Sequence, residues 1–214
     1  MTVKETVKEI SKDEVFFFHS GGGLTVSGGE PLMQAEFVSA VLKECKQLGI
    51  HTAIETSLYV PFENIEKVLP WLDVLYVDIK QMDAALHKEW TGSNNTLILN
   101  NISKVDKSEY PLEVIVRIPL IPGANDSDIN LSATAKFCRE LSKLKEIELL
   151  AYHRLGRETY KYLGRTYELA DVFPPSPQRI WERGEFLAAQ SPGLQVKVGS
   201  GFVGKEQPQK TRWI

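Results

Sequence analysis

Residues 20–32 read Ser20-Gly21-Gly22-Gly23-Leu24-Thr25-Val26-Ser27-Gly28-Gly29-Glu30-Pro31-Leu32. The stretch holds five glycines and one carboxylate. Its pattern predicts a short strand at residues 24–26 that turns into a helix, because Pro31 suits the first helical position. Gly28 and Gly29 carry no Cβ, so the backbone there can lie close to a bound molecule. A bare backbone beside the Glu30 carboxylate suits a small ligand that carries an ammonium group.

The composition is that of an ordinary globular protein. The chain has 214 residues and a formal net charge of −3. This predicts one domain with a sizeable core and gives no indication of a nucleic-acid or anionic-membrane partner. Apolar runs stay below transmembrane length, and residues 1–13 lack the apolar core of a signal peptide. Cys45 and Cys138 are the two cysteines, a usage typical of the reducing cytoplasm, where we expect the protein.

Strand-like and helix-like patterns alternate along the chain. The predicted strands span residues 25–27, 52–56, 74–80, 112–120, 147–152 and 194–198. The predicted helices span residues 34–48, 62–72, 96–105, 129–144 and 177–190. This alternation is typical of an α/β fold with a parallel sheet and helices outside it. We expect one unit over residues 1–198 and a flexible tail over residues 199–214.

Polar residues gather where the predicted strands end. Besides the glycine pair, these residues are Glu30, Glu55, Thr56, Asp78, Lys80, Arg117 and His153. In parallel barrels and open α/β sheets the carboxyl ends of the strands share one edge, and ligands bind there. The sequence therefore predicts one binding site at this edge, since clusters of interacting charges usually mark sites.

Each of these residues also has a purely structural explanation. Glu30 suits a helix start, where the macrodipole favours a carboxylate. Asp78 and Lys80 suit a simple ion pair. Arg117 suits a buried partner of a strand-end carboxylate, and His153 suits a core position. The gathering of all of them at one edge favours the site over the separate explanations.

Other residues are predicted to serve the core or the surface. Cys45 and Cys138 lie on the apolar faces of predicted helices, so we expect both in the core. The remaining histidines are His19, His51 and His87. They lack ligand-like neighbours, and we expect surface or packing roles for them. The aromatic run at residues 16–18 is expected in the core.

The motif at residues 27–31, Ser-Gly-Gly-Glu-Pro, resembles the Gly-Gly-Glu motif of radical S-adenosylmethionine (SAM) enzymes. Over residues 16–198 the chain resembles, more narrowly, the activating enzymes of glycyl radical enzymes, such as the pyruvate formate-lyase activating enzymes. The other matching landmarks are residues 20–23, 55–56, 76–80, 117–123 with 125–126, and 149–156. Their order along the chain makes the resemblance specific.

The resemblance implies a partial parallel (β/α) barrel of the TIM-like type. It also implies an activity in which a reduced 4Fe–4S cluster cleaves SAM reductively. The resulting 5′-deoxyadenosyl radical would abstract a hydrogen from a glycine of a partner enzyme. The implied partners are that glycyl radical enzyme and an electron donor such as flavodoxin or ferredoxin. The protein's own share is to bind and orient the cofactors and to exclude water.

The resemblance implies cofactor contacts for the glycine turn. The backbone of Gly28 and Gly29 and the carboxylate of Glu30 would bind the amino group of SAM. This agrees with the ammonium site inferred from the residues themselves. Lys80 and His153 match further contacts with the cofactor.

The remaining strand-end residues match positions around the SAM carboxylate. Glu55, Thr56 and Asp78 correspond to this region, where some relatives hold a monovalent cation. Arg117 matches a strand-end arginine in the same cavity, and its role stays open. The resemblance assigns no residue of this chain as catalytic or as a metal ligand.

The cluster loop is the main departure from the family. The family holds its 4Fe–4S cluster on a Cys-x-x-x-Cys-x-x-Cys loop that precedes the Gly-Gly-Glu motif, and this sequence contains no such loop. Cys45 and Cys138 lie too far apart to replace it. We expect a barrel without its first strand and cluster loop, as a fragment or truncated form of an activase that is inactive by itself. The open strand edge predicts self-association.

Two other functions stay open at this point. One is a non-catalytic module that binds only SAM or only the partner enzyme. The other is an unrelated barrel enzyme that uses Asp78, Lys80 and His153 in acid–base or Schiff-base chemistry. This last enzyme would turn over without iron or a reductant.

The second predicted strand end indicates a branch of the activases. Residues 55–58 read Glu-Thr-Ser-Leu, where pyruvate formate-lyase activators tend to carry Asp-Thr-Asn-Gly. Together with residues 156–164, this resembles the activators of dehydratase- or lyase-type glycyl radical enzymes.

Overall fold

The computed structural model of the chain describes residues 1–199 and 201–204. Within these residues, seven strands form one sheet whose order follows the sequence. The strands are β1 (Gly23–Val26), β2 (His51–Thr56), β3 (Val74–Asp78), β4 (Glu113–Leu120), β5 (Leu144–Ala151), β6 (Gln195–Val198) and β7 (Gly201–Phe202). Neighbours from β1 to β6 pair in parallel, and β7 is antiparallel to β6. The prediction of a mostly parallel α/β sheet is confirmed.

Helices connect the strands and pack on the sheet. They are α1 (Val3–Ile10), α2 (Glu14–Ser20), α3 (Ala35–Gln47), α4 (Phe62–Glu66), α5 (Ala84–Thr91), α6 (Thr96–Asp106), α7 (Asp128–Cys138), α8 (Arg157–Tyr162) and α9 (Pro177–Gln190). Short 3-10 turns lie at Ser11–Asp13, Pro31–Gln34 and Leu69–Trp71. Across ranges 1–199 and 201–204, no helix is both long enough and apolar enough to cross a membrane.

The two faces of the sheet differ in character. One face carries buried aliphatic residues such as Ile54, Val116 and Ile147, which pack with helix residues into the main core. The other face carries ionisable side chains, including Arg117 and Glu148 on β4 and β5. Because alternate residues of a strand point to opposite faces, the same strands supply both the core and the candidate site.

The predicted helix at residues 62–72 is shorter than expected. α4 ends at Glu66, and a 3-10 turn follows at Leu69–Trp71. Pro70 explains the break, because a proline has no N–H and clashes with the carbonyl four residues earlier, at Glu66. The proline was visible in the sequence and outweighs the apolar periodicity.

The predicted helix at residues 129–144 also stops early, at Cys138. Tertiary contacts of Lys143 account for this. Its backbone N–H donates to Asp106 at 2.7 Å, and its Nζ donates to the carbonyls of Ser108 and Tyr110, both at 2.7 Å. These bonds tie the chain to the segment after α6 just before β5 begins, and periodicity alone does not reveal them.

Helix α5 was not predicted, although its ends carry clear signals. Asp83 accepts hydrogen bonds from the backbone N–H groups of Ala85 and Leu86 at 2.9 and 2.8 Å, as an N-cap does. Gly92 ends the helix in the left-handed conformation, with φ of 82°. Within α5 only His87 is buried, so the helix shows little apolar periodicity.

The cysteines and the remaining histidines take core, packing and surface positions, as predicted. Cys45 and Cys138 are fully buried. Burial raises the pKa of Cys45 and raises the pKa of Cys138 to about 12, so both are protonated thiols at neutral pH. His87 is buried, whereas His19 and His51 are exposed.

The expectation for the aromatic run at residues 16–18 is wrong for two of its members. Phe16 and Phe18 are 72% and 85% exposed. Phe17 alone packs against the small apolar cluster around Cys45. The run lies on α2, and a helix turns consecutive side chains in different directions, so only one of the three contacts the core.

The two ends of the sheet differ in their pairing. Among the described residues β1 pairs with β2 and with no other strand. At the other end β7 lies within the range predicted as a tail and pairs with β6. Of that predicted tail, residue 200 and residues 205–214 lie outside the described residues.

Candidate functional site

Four ionisable residues form a row across four neighbouring strands. They are Asp78 on β3, Arg117 on β4, Glu148 on β5 and Lys197 on β6, each in register with the next. We call these four residues the charged row. Nε of Arg117 lies 2.7 Å from Oε2 of Glu148, and Nζ of Lys197 lies 2.5 Å from Oε1 of the same carboxylate. The signs alternate, so each charge has an opposite neighbour on the next strand.

Arg117 also extends across β3 to the end of β2. Its Nη1 lies 2.5 Å from Oε1 of Glu55, and its guanidinium carbon lies 3.8 Å from the centre of the Tyr76 ring. The other oxygen of Glu55 accepts a hydrogen bond of 3.0 Å from Ser27. Burial opposes the charge of Arg117, but its bonds to Glu55 and Glu148 outweigh burial and raise its pKa. Arg117 is thus the partner of two carboxylates.

Glu30 fastens the glycine turn to the end of β2. Its Oε1 accepts hydrogen bonds from the N–H of Leu32 at 3.2 Å and from the hydroxyl of Thr56 at 2.7 Å. Its Oε2 accepts from the N–H and the hydroxyl of Ser57, at 3.0 and 2.7 Å. A carboxylate has about four lone-pair sites, so its acceptor capacity is filled. An arriving ammonium group has to displace a donor, and the two hydroxyls are the donors that can rotate away.

The glycine pair leaves the turn open. Gly28 has φ of +137°, a conformation that L side chains rarely adopt. A Cβ built on Gly28 or on Gly29 meets no heavy atom within 4 Å. This open space is what close approach of a ligand to the backbone requires.

Asp78 and Lys80 form an ion pair at the end of β3. Nζ of Lys80 lies 3.5 Å from Oδ2 of Asp78, and both side chains are partly exposed. Burial raises the pKa of Asp78, although Lys80 and Arg117 oppose the shift. Among the described residues Lys80 is the ion-pair partner of Asp78, so the Asp78 carboxylate keeps acceptor capacity that Glu30 lacks and is a candidate to receive a cationic ligand group.

A cavity of about 490 Å³ opens beside Lys80. Its walls include Trp90 of α5, Asn125, Tyr160 of α8 and Tyr167. Asn125 holds the backbone at the edge of the cavity, because its Nδ2 donates to the carbonyl of Lys80 at 2.7 Å. Sequence reasoning missed the aromatic residues, since they lie on helices and loops away from the strand ends. The sequence indicated them only weakly, because one tryptophan and two tyrosines outside any apolar periodicity do not mark a site.

His153 lies in a second cavity, of about 1260 Å³, at the ends of β5 and β6. Trp181 of α9 forms part of its wall. His153 is exposed, and its Nδ1 accepts a hydrogen bond of 3.4 Å from the N–H of Leu155. In the part of the chain that the structure describes, no hydrogen bond or ion pair joins His153 to the charged row. Pro119 and Ile121 line both cavities, so the two adjoin.

The sequence-predicted site residues thus form three groups along one edge of the sheet. The first group is Gly28, Gly29, Glu30 and Thr56. The second is Glu55, Asp78, Lys80 and Arg117. His153 stands apart, in the second cavity. The edge combines carboxylates, cations and open backbone, which suits a zwitterionic ligand.

A match over more than half of the chain decides the family. Residues 1–134 match the Radical SAM superfamily. The chain belongs to the radical SAM superfamily. This confirms the resemblance carried by the Gly-Gly-Glu motif, and the open, mostly parallel sheet corresponds to the partial barrel of solved radical SAM structures.

Two curated relatives are activating enzymes. The chain is 44% identical over 174 residues to the (2S)-3-sulfopropanediol dehydratase activating enzyme of Klebsiella oxytoca, covering 80% of this chain and 54% of that protein. It is 45% identical over 170 residues to the 4-hydroxyphenylacetate decarboxylase activating enzyme of Clostridioides difficile (strain 630), covering 79% and 53%. The chain spans about half the length of the curated relatives it matches.

A solved domain matches the fold over most of both chains. It is the crystal structure of a domain of pyruvate-formate lyase-activating enzyme from Bacteroides vulgatus ATCC 8482. The TM-score is 0.67 at 32% identity, and the match covers 83% of this chain and 99% of that one. Similarity to activating enzymes therefore rests on both sequence and fold.

Radical SAM proteins use SAM and a 4Fe–4S cluster. SAM carries an ammonium group and a carboxylate, which the carboxylate of Asp78 and the cation of Lys80 complement. The two cysteines do not fit a cluster, because they are buried thiols on α3 and α7. Within residues 1–199 and 201–204, no group of three or more His, Cys, Asp or Glu side chains is placed to hold a metal ion.

Proposed function

We propose that this chain forms the SAM-binding α/β unit of a glycyl radical enzyme activase. The observation that carries the proposal is the strand-end edge. There the glycine turn held by Glu30 adjoins β2, and Asp78 and Lys80 follow at the end of β3. Membership of the radical SAM superfamily and similarity to activating enzymes support the same assignment.

The proposed roles follow from complementary charge. The carboxylate of Glu30 would face the amino group of SAM, and Lys80 would contact the cofactor. Glu55 and Asp78 would lie around the SAM carboxylate, in the region where some relatives hold a monovalent cation. The open backbone of Gly28 would contribute hydrogen bonds. The reaction served is abstraction of a hydrogen from a glycine of a partner enzyme, and the cofactors supply its radical chemistry. The chain's own residues bind, orient and exclude water.

Three proposed contacts are less direct. Thr56 acts through Glu30, because its hydroxyl donates to that carboxylate at 2.7 Å. Arg117 acts between two carboxylates, through Nε and Nη1, and would donate to a ligand through Nη2, which makes no hydrogen bond within residues 1–199 and 201–204. His153 would contact the part of SAM that extends towards the second cavity, which adjoins the first through Pro119.

The proposed partner is a glycyl radical enzyme of the dehydratase, decarboxylase or lyase type. The names of the relatives support this, since they activate a dehydratase, a decarboxylase and a sulfite-lyase. We also propose that flavodoxin or ferredoxin donates the electron. The proposed location is the cytoplasm. Residues 1–198 as one unit and residues 199–214 as a tail also stay proposals.

A second candidate is a non-catalytic module that binds SAM or the partner enzyme. The observation that favours it is the state of Cys45 and Cys138, which are buried thiols on separate helices. In this case the chain by itself would bind the cofactor without cleaving it.

Calorimetric titration of the chain with SAM tests the proposal. We expect binding by the wild type, weakened in Glu30→Gln and in Asp78→Asn. The matched control is Glu36→Gln on α3, whose side chain is 83% exposed and forms an ion pair with Lys67. Thermal unfolding of each variant checks that Glu30→Gln has not simply lost the turn.

An iron assay after anaerobic reconstitution separates the two candidates. Stoichiometric iron together with reductive SAM cleavage would support the activase itself. SAM binding without iron would support the binding module. A wild-type chain that binds no SAM would contradict both SAM-binding assignments, and turnover without iron or reductant would indicate the unrelated acid–base enzyme.

A further inference from the structure

Two members of the charged row were not singled out by sequence reasoning. Glu148 lies on β5 and Lys197 on β6, both on the sheet face opposite the main core. They are register partners and make a short ion pair. Neither residue lies at the strand-end positions predicted to bind the cofactor, so their role needs a separate explanation.

Glu148 connects Lys197 to Arg117 through its two oxygens. Oε2 accepts from Nε of Arg117 at 2.7 Å, and Oε1 accepts from Nζ of Lys197 at 2.5 Å. Glu148 is buried, where an unpaired carboxylate is costly. Burial would raise its pKa, but the bonds from Lys197 and Arg117 outweigh burial and lower it. Glu148 is therefore a charged carboxylate whose position depends on both cations.

Arg117 is held at three points. Its Nε donates to Glu148 and its Nη1 donates to Glu55. The face of the guanidinium packs on the Tyr76 ring, 3.8 Å from the ring centre. In the described part of the chain, Nη2 has no hydrogen-bond partner. Because the guanidinium is planar and rigid, fixing Nε and Nη1 also fixes the direction in which Nη2 can donate.

We propose that Glu148 and Lys197 are positioning residues that hold Arg117 in the orientation required at the SAM site. This inference rests on the proposed function, because it concerns ligand binding at the same edge. Lys197 keeps Glu148 charged and in place, Glu148 orients Arg117, and Arg117 presents Nη2 and partly neutralises Glu55. Residues of β5 and β6 thereby set the affinity of groups at the ends of β2 and β3.

The neighbouring charges are part of the same arrangement. Lys197 also lies 3.7 Å from Glu146, a second buried carboxylate on β5. Burial raises the pKa of Glu146, and the nearby charge of Glu148 adds to the increase, while Lys197 opposes it. Glu148, with its shorter contact, is thus the principal partner of Lys197, and Glu146 is the secondary one.

The test compares Glu148→Gln and Lys197→Met with a matched ion pair that also joins two neighbouring strands of the sheet. That pair is Glu113 on β4 and Lys145 on β5, 3.4 Å apart and with both side chains more than half exposed. Its variants Glu113→Gln and Lys145→Met remove the same charges away from the row. Lys197→Arg is the conservative variant that keeps the charge and should restore wild-type behaviour.

Two measurements are made on each folded variant. The first is the Nε–H signal of Arg117 in a nitrogen–proton correlation spectrum, assigned by its disappearance in Arg117→Lys. The second is the dissociation constant for SAM by calorimetry. We expect Glu148→Gln and Lys197→Met to broaden or shift the Arg117 signal and to weaken SAM binding about tenfold, as loss of supporting contacts does at other sites. The control variants should change neither.

The outcomes separate this inference from the proposed function. An unchanged Arg117 signal and unchanged SAM affinity in Lys197→Met would overturn the inference, even if Glu148→Gln failed to fold. A lowered unfolding temperature with both readouts unchanged would also overturn it, because the pair would then serve stability alone. A wild-type chain that does not bind SAM would contradict the proposed function, and the Arg117 signal would still decide whether Glu148 and Lys197 hold that side chain.

Discussion

The hydroxyl of Thr56 donates to Oε1 of Glu30 at 2.7 Å and accepts from the backbone N–H of Leu58 at 2.9 Å. One side chain thus links the glycine turn after β1 to the backbone that follows β2. Leu58 is fully buried and is the non-glycine residue with a positive φ, 55°, in the described chain. A strained backbone of this kind persists only where neighbouring contacts fix it.

We expect Thr56→Val to lower the free energy of unfolding by about 1–3 kcal/mol. The substitution keeps the shape but leaves the buried N–H of Leu58 without its partner and removes a donor from Glu30. Denaturant unfolding measures the change. Thr25→Val on β1 is the control, because the Thr25 hydroxyl has no hydrogen-bond partner among residues 1–199 and 201–204. This substitution should change the free energy of unfolding little. Equal stability of the two variants would contradict the prediction.

Asp78→Asn should stabilise the chain at neutral pH. Burial raises the pKa of Asp78 above its ordinary value. The folded state is therefore disfavoured as the pH rises above the ordinary aspartate value, and the cost is fully present once the pH exceeds the raised pKa. Removing the charge removes this cost, and the gain should shrink as the pH falls and wild-type Asp78 becomes protonated. Unfolding curves over the acid to neutral range measure it, with exposed Asp171→Asn as control. A loss of stability at neutral pH would show that the Lys80 pair outweighs burial.

Asp73→Asn should show the opposite pH dependence. Burial alone would raise the pKa of Asp73, but hydrogen bonds from Lys46 and Thr52, at 2.6 and 2.9 Å, outweigh it and lower the pKa. A lowered pKa stabilises the folded state above the ordinary aspartate value, and this contribution is lost as the pH falls through the folded-state pKa. The variant should lose about 1–3 kcal/mol at neutral pH and approach the wild type in acid. A constant difference over that range would contradict the assignment.

The parts of the fold that depend on local pattern were predictable. The helix at Pro177–Gln190 has the expected bounds, because Ser176 caps it and Pro177 suits its first turn. Each predicted strand has a counterpart, since apolar runs bounded by turn residues indicate buried strands. Strand ends then located the candidate site, because the carboxyl ends of parallel strands share an edge.

The contacts that join distant strands were not predictable. The four donors to Glu30 and the two partners of Arg117 depend on strand register, which one sequence does not specify. Glu148 could have been found from the sequence, because Glu146 and Glu148 alternate with apolar residues in the stretch before Leu149. That alternation places both carboxylates on the face opposite the main core, and its importance became visible only beside Arg117.

Gly29→Ala should separate folding from ligand binding. A Cβ on Gly29 meets no atom within 4 Å, so we expect a stability change within about 0.5 kcal/mol. The methyl group would stand between the backbone and SAM, and binding should weaken. Gly23→Ala is the contrasting variant, because its Cβ would overlap the carbonyl of His51 on the neighbouring strand and should cost about 1–3 kcal/mol or more. Unchanged SAM affinity in folded Gly29→Ala would contradict a ligand at this turn.

Self-association through β1 is the last prediction. In the described residues β1 pairs only with β2, so its other edge offers backbone groups to a second strand. Phe16 and Phe18 add exposed apolar surface on the preceding helix. We expect the wild type to associate with rising concentration in sedimentation velocity, and Thr25→Lys to reduce this, because a charge on an edge strand opposes pairing. Thr166→Lys adds the same charge far along the chain and should leave association unchanged; a wild type that stays monomeric at every concentration would refute the prediction.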